Sequence, residues 1–272
     1  MNLDKQAKKD LKKRIKKEKQ EVKDSNTYIK SQNKALEKIE KDEIKQEKYE
    51  ANAPKREAIK KKNEAPHLTV LEEIGNSVVH GIGSLLGIYG LVLLLLESNS
   101  TIKAVSAWIY ALSIIIMLLM SSLYHAFKWG TKVKRIWRRF DYSCIYLLIG
   151  GTFTPILLVY LQNMLGYIWF FVMWSLIITG ITIISVFGPG RVKWIHYTLY
   201  FVLGWSGLSF IPIFIINDSV PLLLWILGGG LTYTLGMIPF AKKGVKSAHF
   251  IWHFFVVAGA VVQFLGILFY IY

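Results

Sequence analysis

Two histidines four residues apart, His249 and His253, sit in the apolar segment HFIWHFFVVAG. On a helix, residues i and i+4 share a face, so both imidazoles point at one place, as the two histidines of HExxH do. His125, one turn after Ser121, offers a third imidazole. Three such ligands complete a three-histidine zinc site with one position open for water, and an ion held this way lowers the pKa of its water to about 7. Asp141 is placed to accept a hydrogen bond from that water or from a ligand imidazole. HxxxH alone is a weak signal. Its weight here comes from SxxxH and Asp141, which the elements below bring to the same depth.

Those elements belong to a membrane. The 272 residues are 53% apolar and 14% aromatic, which excludes a disordered protein and is too apolar for an ordinary soluble domain. Residues 1–66 hold 21 of the 33 Lys and Arg and 13 of the 18 Asp and Glu, so the chain reads as a charged tail, 1–66, joined to a membrane domain, 67–272. Ionised groups are costly at the bilayer centre, so charge-free runs of about 20 residues mark the spans. Runs follow Glu73, Lys103, Asp141, Lys193, Asp218 and Lys246. The run after Asp141 continues for 49 residues and must break, which Gln162-Asn163 before Gly166 allows. The expected fold is an all-α integral membrane protein, a seven-transmembrane helix bundle. Its first apolar run starts too late for a cleavable signal peptide, so the first span is expected to act as the insertion signal.

Alternate loops carry eleven basic residues against one, Lys103. The positive-inside rule then places the basic loops and the tail in the cytosol and, with seven spans, the C-terminus outside. That is opposite to the G-protein-coupled receptors. A microbial rhodopsin is excluded separately, because the seventh span has no lysine for a retinal Schiff base. In this arrangement His80 (one turn beyond Asn76), Ser121 with His125, Asp141, and His249 with His253 all fall in one layer near the cytosolic ends of four helices. No equivalent cluster exists near the outer face.

Other residues have plainer readings. Cys144 excludes an intrachain disulfide and suits packing. His196 lacks an i+4 partner, and His67 lies in the linker. Asp141 could instead pair with Arg138 or Arg139. Gly228-Gly229-Gly230 suits close helix packing. In the tail, Ile15, Val22, Ile29 and Leu36 recur every seven residues, but Glu18, Ser25 and Gln32 fill the second seam that a coiled coil needs. The tail is therefore either a solvated helix, resting on anionic lipid through its lysines, or a disordered segment.

The segments EEIGNSVVHGIG (72–83), SSLYHAF (121–127), FDYSCIYLLIGGTFTP (140–155) and HFIWHFFVVAG (249–259) together resemble the successive signatures of the bacterial hemolysin III proteins. These belong with the progestin and adipoQ receptors. The resemblance covers roughly 67–272 and implies zinc on His125, His249 and His253, with Ser121 and Asp141 beside the metal and its water. The first-helix signature falls on Glu73, Asn76 and His80, whose role it leaves open. The wider superfamily includes alkaline ceramidases, so zinc-dependent hydrolysis of a lipid amide is one implied activity, within a role in membrane homeostasis. A membrane-state sensor with structural zinc is an alternative, and a pore-forming cytolysin a third, disfavoured by seven apolar spans. The expected partners are membrane lipids and not nucleic acid, and the expected location is the plasma membrane. Protein partners stay open.

Overall fold

The computed structural model describes residues 2–241 and 247–272. It divides between Lys60 and Lys61 into two units, each described here by itself. Lys242, Lys243 and Lys246, three of the eleven basic loop residues, lie outside the described residues.

In the first unit, α1 runs through Asn2–Ala51 as one helix, and α2 (Ala53–Lys62) runs two residues past the division. No Gly or Pro interrupts α1, its Lys, Glu, Gln and Ala are good helix formers, and i,i+4 pairs such as Gln20 with Asp24 (2.9 Å) and Gln46 with Glu50 (2.7 Å) brace it. Ile15, Val22, Ile29 and Leu36 are all exposed.

The second unit is helical. Its helices are α3 (Val70–Leu96), α4 (Thr101–Ala126), α5 (Lys132–Pro155), α6 (Met164–Phe187), α7 (Lys193–Trp205), α8 (Ile211–Ile216), α9 (Val220–Ala241) and α10 (Ala248–Tyr270). Among the described residues, seven helical segments are long and apolar enough to cross a membrane: Val70–Leu96, Thr101–Ala126, Lys132–Leu161, Met164–Phe187, Lys193–Ile216, Val220–Phe240 and Ala248–Tyr270. Polar caps start several of them. Thr69 and Glu72 form a capping box at α3, and Ser100, Thr131 and Asn163 cap α4, α5 and α6. The expected break falls at Gln162, in the left-handed region, followed by the Asn163 cap.

Two spans are irregular. Pro155 lacks an N–H, and residues Ile156–Leu161 after it wind as a π-helix. The fifth span is α7, a tight turn at Ser206–Phe210 and α8, which begins with Pro212 near its N-terminus. The third span starts earlier than the charge-free run indicates: Lys132, Lys134, Arg135, Arg138 and Arg139, read from sequence as loop, are helical.

The bundle packs α3 on α4, α4 on α5, α9 on α10 and α10 back on α3. Close approach is needed at Gly180, where a Cβ would meet the Tyr146 ring at 2.4 Å, and at Gly151, where it would meet Ser113 Oγ at 1.8 Å. Small residues admit this closeness where lipid supplies no hydrophobic drive.

At the end of the bundle bearing the basic residues, a strap precedes α3. Arg138, buried, donates to the carbonyls of Asn63 (3.1 Å) and Glu64 (2.9 Å), and Trp129 Nε1 donates to Ala65 (2.9 Å). The Asn63 amide bridges the turn after α6, donating to Phe187 and accepting from the Gly190 N–H. Among the described residues neither Arg138 nor Arg139 forms a close salt bridge with Asp141, and Arg139 donates to the Ser185 carbonyl.

Candidate metal centre

The first turns of α3 and α10 and the last turn of α4 meet at this end, so residues distant in sequence share a layer. One face of α3 carries Glu73, Asn76 and His80, spaced at helical intervals. The last turns of α4 carry Ser121 and His125, and the first turns of α10 carry His249 and His253. The Ser247 N–H donates to Glu72 Oε1 (2.8 Å), which ties the start of α10 to the first turn of α3.

Each of His125, His249 and His253 offers a ring nitrogen, and these atoms lie within 4.8 Å of one another, so the cluster could hold a metal ion. His125 Nε2 and His249 Nε2 face each other at 3.3 Å. His253 Nε2 is buried with no hydrogen-bond partner. His125 and His253 are 2% and 3% exposed, which leaves little water to satisfy them.

On His125 and His253 the other ring nitrogen is occupied. His125 Nδ1 lies 2.7 Å from Glu73 Oε2, and Lys134 Nζ donates to Glu73 Oε1 at 2.6 Å. Asn76 Nδ2 is 3.4 Å from the same His125 Nδ1, a long contact. His253 Nδ1 lies 2.8 Å from His80 Nε2, with the two rings edge to face at 4.0 Å between centroids. Glu73 thus braces His125, and His80 braces His253. The Lys134 contact is the feature that sequence reasoning missed. Its signal was present, because an acid in the first turn of a span needs a cation, but Lys134 reads as one of six loop charges.

Asp141 and Ser121 line the same cavity as His80, His249 and His253. The Ser121 hydroxyl is buried beside the Asp141 carboxyl, with which it interacts. The cavity extends away from the histidine layer between α5, α7, α9 and α10, past Ile145, Leu148, Phe153 and Val256, to Gln263. Its volume is about 190 Å³, more than ten times the roughly 10–15 Å³ that a single water requires. Exposed Phe201 and Met237 also line it, so it reaches the outer surface of the bundle between α7 and α9. Those helices meet where Trp205 Nε1 donates to Thr234 Oγ1 (3.2 Å).

The remaining candidates lie apart. His196 is fully buried, with Nδ1 3.0 Å from the Tyr146 hydroxyl. His67 stacks edge-on against Trp129, and Cys144 is a buried core residue.

Seven apolar helices around a buried histidine cluster define a multi-pass membrane protein with a candidate metal centre. The chain belongs to the Haemolysin-III related family, whose model matches residues 68–264. It is 35% identical to "Hemolysin-3" of Bacillus cereus over 205 residues, which covers 74% of this chain and 93% of that protein. It is also 35% identical to "Hemolysin-3 homolog" of Bacillus subtilis (strain 168) over 206 residues, covering 74% and 95%. The human "Monocyte to macrophage differentiation factor" is 27% identical over 214 residues, covering 75% and 86%, a likeness that fits the progestin and adipoQ receptor superfamily.

Proposed function

We propose that this plasma-membrane protein binds zinc through His125, His249 and His253 and hydrolyses a lipid amide, in the service of membrane homeostasis. One observation carries the reading: His249 and His253 of the histidine cluster, with Asp141 and Ser121, open on one apolar cavity that reaches the side of the bundle. A sensor with purely structural metal would be served by a closed, dry site.

The donor set fits the ion. Two ligands of a tetrahedral zinc with bonds of about 2.0–2.1 Å stand about 3.3–3.4 Å apart, and His125 Nε2 and His249 Nε2 are spaced at 3.3 Å. The unpartnered His253 Nε2 supplies the third donor. When bound, zinc supplies a Lewis acid that polarises a carbonyl and makes hydroxide available near neutral pH. The chain's own residues do the rest. Glu73 accepts the His125 Nδ1 proton, which presents Nε2 as the free donor, and Lys134 holds Glu73 in place. Asp141 is the group placed to take a proton from the attacking water and return it to the leaving amine. The Ser121 hydroxyl, beside Asp141, donates to the reacting oxygen, and the apolar cavity holds the acyl chain. By the charge of the loops, this layer lies at the cytosolic leaflet.

The test uses purified protein and a fluorescent ceramide-type amide. Asp141→Asn should keep its zinc and lose about 100-fold or more in turnover, the usual worth of a general acid–base. Wild-type turnover by Asp141→Asn would remove its role. Full zinc with no hydrolysis of any lipid amide by the native protein would leave the metal structural and the protein a membrane-state sensor.

A further inference from the structure

The cavity ends on polar groups for which the hydrolytic reading has no use. Tyr233 of α9 and Gln263 of α10 both line it far from the histidines. They are set there by reciprocal packing. A Cβ on Gly259 would lie 2.8 Å from the Tyr233 ring, and one on Gly229 would lie 2.2 Å from Gln263 Cγ. Gly229 and Tyr233 are one turn apart on α9, as are Gly259 and Gln263 on α10, so each glycine makes room for the other helix's polar side chain.

The protein leaves one side chain unmet and holds the other weakly. The Tyr233 hydroxyl is buried with no partner. Gln263 is 8% exposed, and its Nε2 reaches only the Ile226 carbonyl, at 3.4 Å, at the weak end of hydrogen-bond distances. Thr152 and Thr234 on the same wall differ, because each donates to the carbonyl one turn back, at 2.8 and 2.9 Å. An unmet hydroxyl and a weakly held amide in an apolar wall are costly, and such groups call for a partner within the cavity.

The separation defines what that would be. Gln263 lies ten residues beyond His253 on one helix, about 15 Å along its axis. An extended chain advances about 1.2 Å per bond, judging from the reach of the peptide backbone, so Gln263 stands level with an atom roughly twelve bonds from a group held at the histidine layer, and the Tyr233 ring, packed on Gly259, lies about one helical turn nearer that layer. We propose that Tyr233 and Gln263 form a second polar station that selects acyl chains bearing a hydroxyl in mid-chain over plain saturated chains. The Tyr233 hydroxyl donates to the ligand oxygen, and the ligand hydroxyl donates to Gln263 Oε1. This inference rests on the reading of the cavity as an acyl site.

The experiment is displacement of a fluorescent fatty acid from the detergent-solubilised full chain by stearate and by stearate hydroxylated at its twelfth carbon. The hydroxylated acid should bind about 5–10-fold tighter, the worth of one or two net hydrogen bonds. Tyr233→Phe and Gln263→Leu should each bring the ratio to within about twofold while stearate affinity is kept, which also reports an intact fold. Equal affinities in the native protein, with water meeting the pair, would overturn the inference and leave the acyl reading standing. A preference unchanged in both variants would also overturn it. If neither acid displaces the probe, the acyl reading falls and the inference with it.

Discussion

At the residue scale the centre depends on where each ring nitrogen points. His253 spends Nδ1 on His80 and keeps Nε2 buried and free, so replacing the ring removes one of the three donors of the cluster. His253→Ala and His125→Ala should each abolish stoichiometric zinc in purified protein, measured by elemental analysis. Loss of a brace costs about 10–100-fold in affinity in known sites, and loss of a ligand should cost at least as much. His196→Ala is the comparison. It forfeits the buried bond to Tyr146 (3.0 Å) and should melt at a lower temperature than the native protein, yet keep its zinc. Full zinc in His253→Ala would refute the three-histidine centre, and zinc loss in His196→Ala would move the third ligand.

At the element scale the centre is assembled by helix ends, and the least visible connection is the pin between α3 and α5. Lys134 is 1% exposed and held by Glu73 across the first turns of the two helices. Glu73→Gln strands that cation. Breaking a buried pair on one side costs about 3–5 kcal/mol, whereas replacing both partners is far milder. Glu73→Gln should therefore lower both thermal stability and metal affinity. Glu73→Gln with Lys134→Met should recover much of the stability and little of the affinity, because a neutral amide oxygen is a weaker acceptor for the His125 Nδ1 proton than the carboxylate. Recovery of both would mean that Glu73 acts only as a counter-ion. The seven spans were legible because a charge-free run of about 20 residues has one physical explanation, and the histidine layer because HxxxH and SxxxH sit at matching depths. The early start of α5 was not, since basic residues in the first turns of a membrane helix look the same as a loop. Nor was the strap at residues 63–65, where the bonds from Arg138 and Trp129 end on backbone carbonyls and so leave no mark in residue types.

At the scale of the whole molecule, basic loops and histidine centre occupy one end of the bundle, so orientation decides which compartment the chemistry faces. With eleven basic loop residues against one, a reporter fused after Tyr272 should read as external, and cytosolic activity there would turn the centre outward. The tail poses a separate question, because the structure divides at Lys60 and Lys61 whereas the composition changes near residue 66. The strap lies between these two points and belongs to the bundle by its bonds. A chain lacking residues 2–60 keeps every acceptor of Arg138 and Trp129, and it should fold with full zinc. A chain lacking residues 2–66 leaves buried Arg138 without the Asn63 and Glu64 carbonyls and removes the Asn63 amide that bridges Phe187 and Gly190. Each unmet buried donor costs about 1–3 kcal/mol, more when charged, so the second truncation should melt several degrees below the first in the same detergent. Equal melting temperatures would show that the strap contributes nothing to the bundle, and zinc loss in the shorter deletion would show that the tail itself supports the centre.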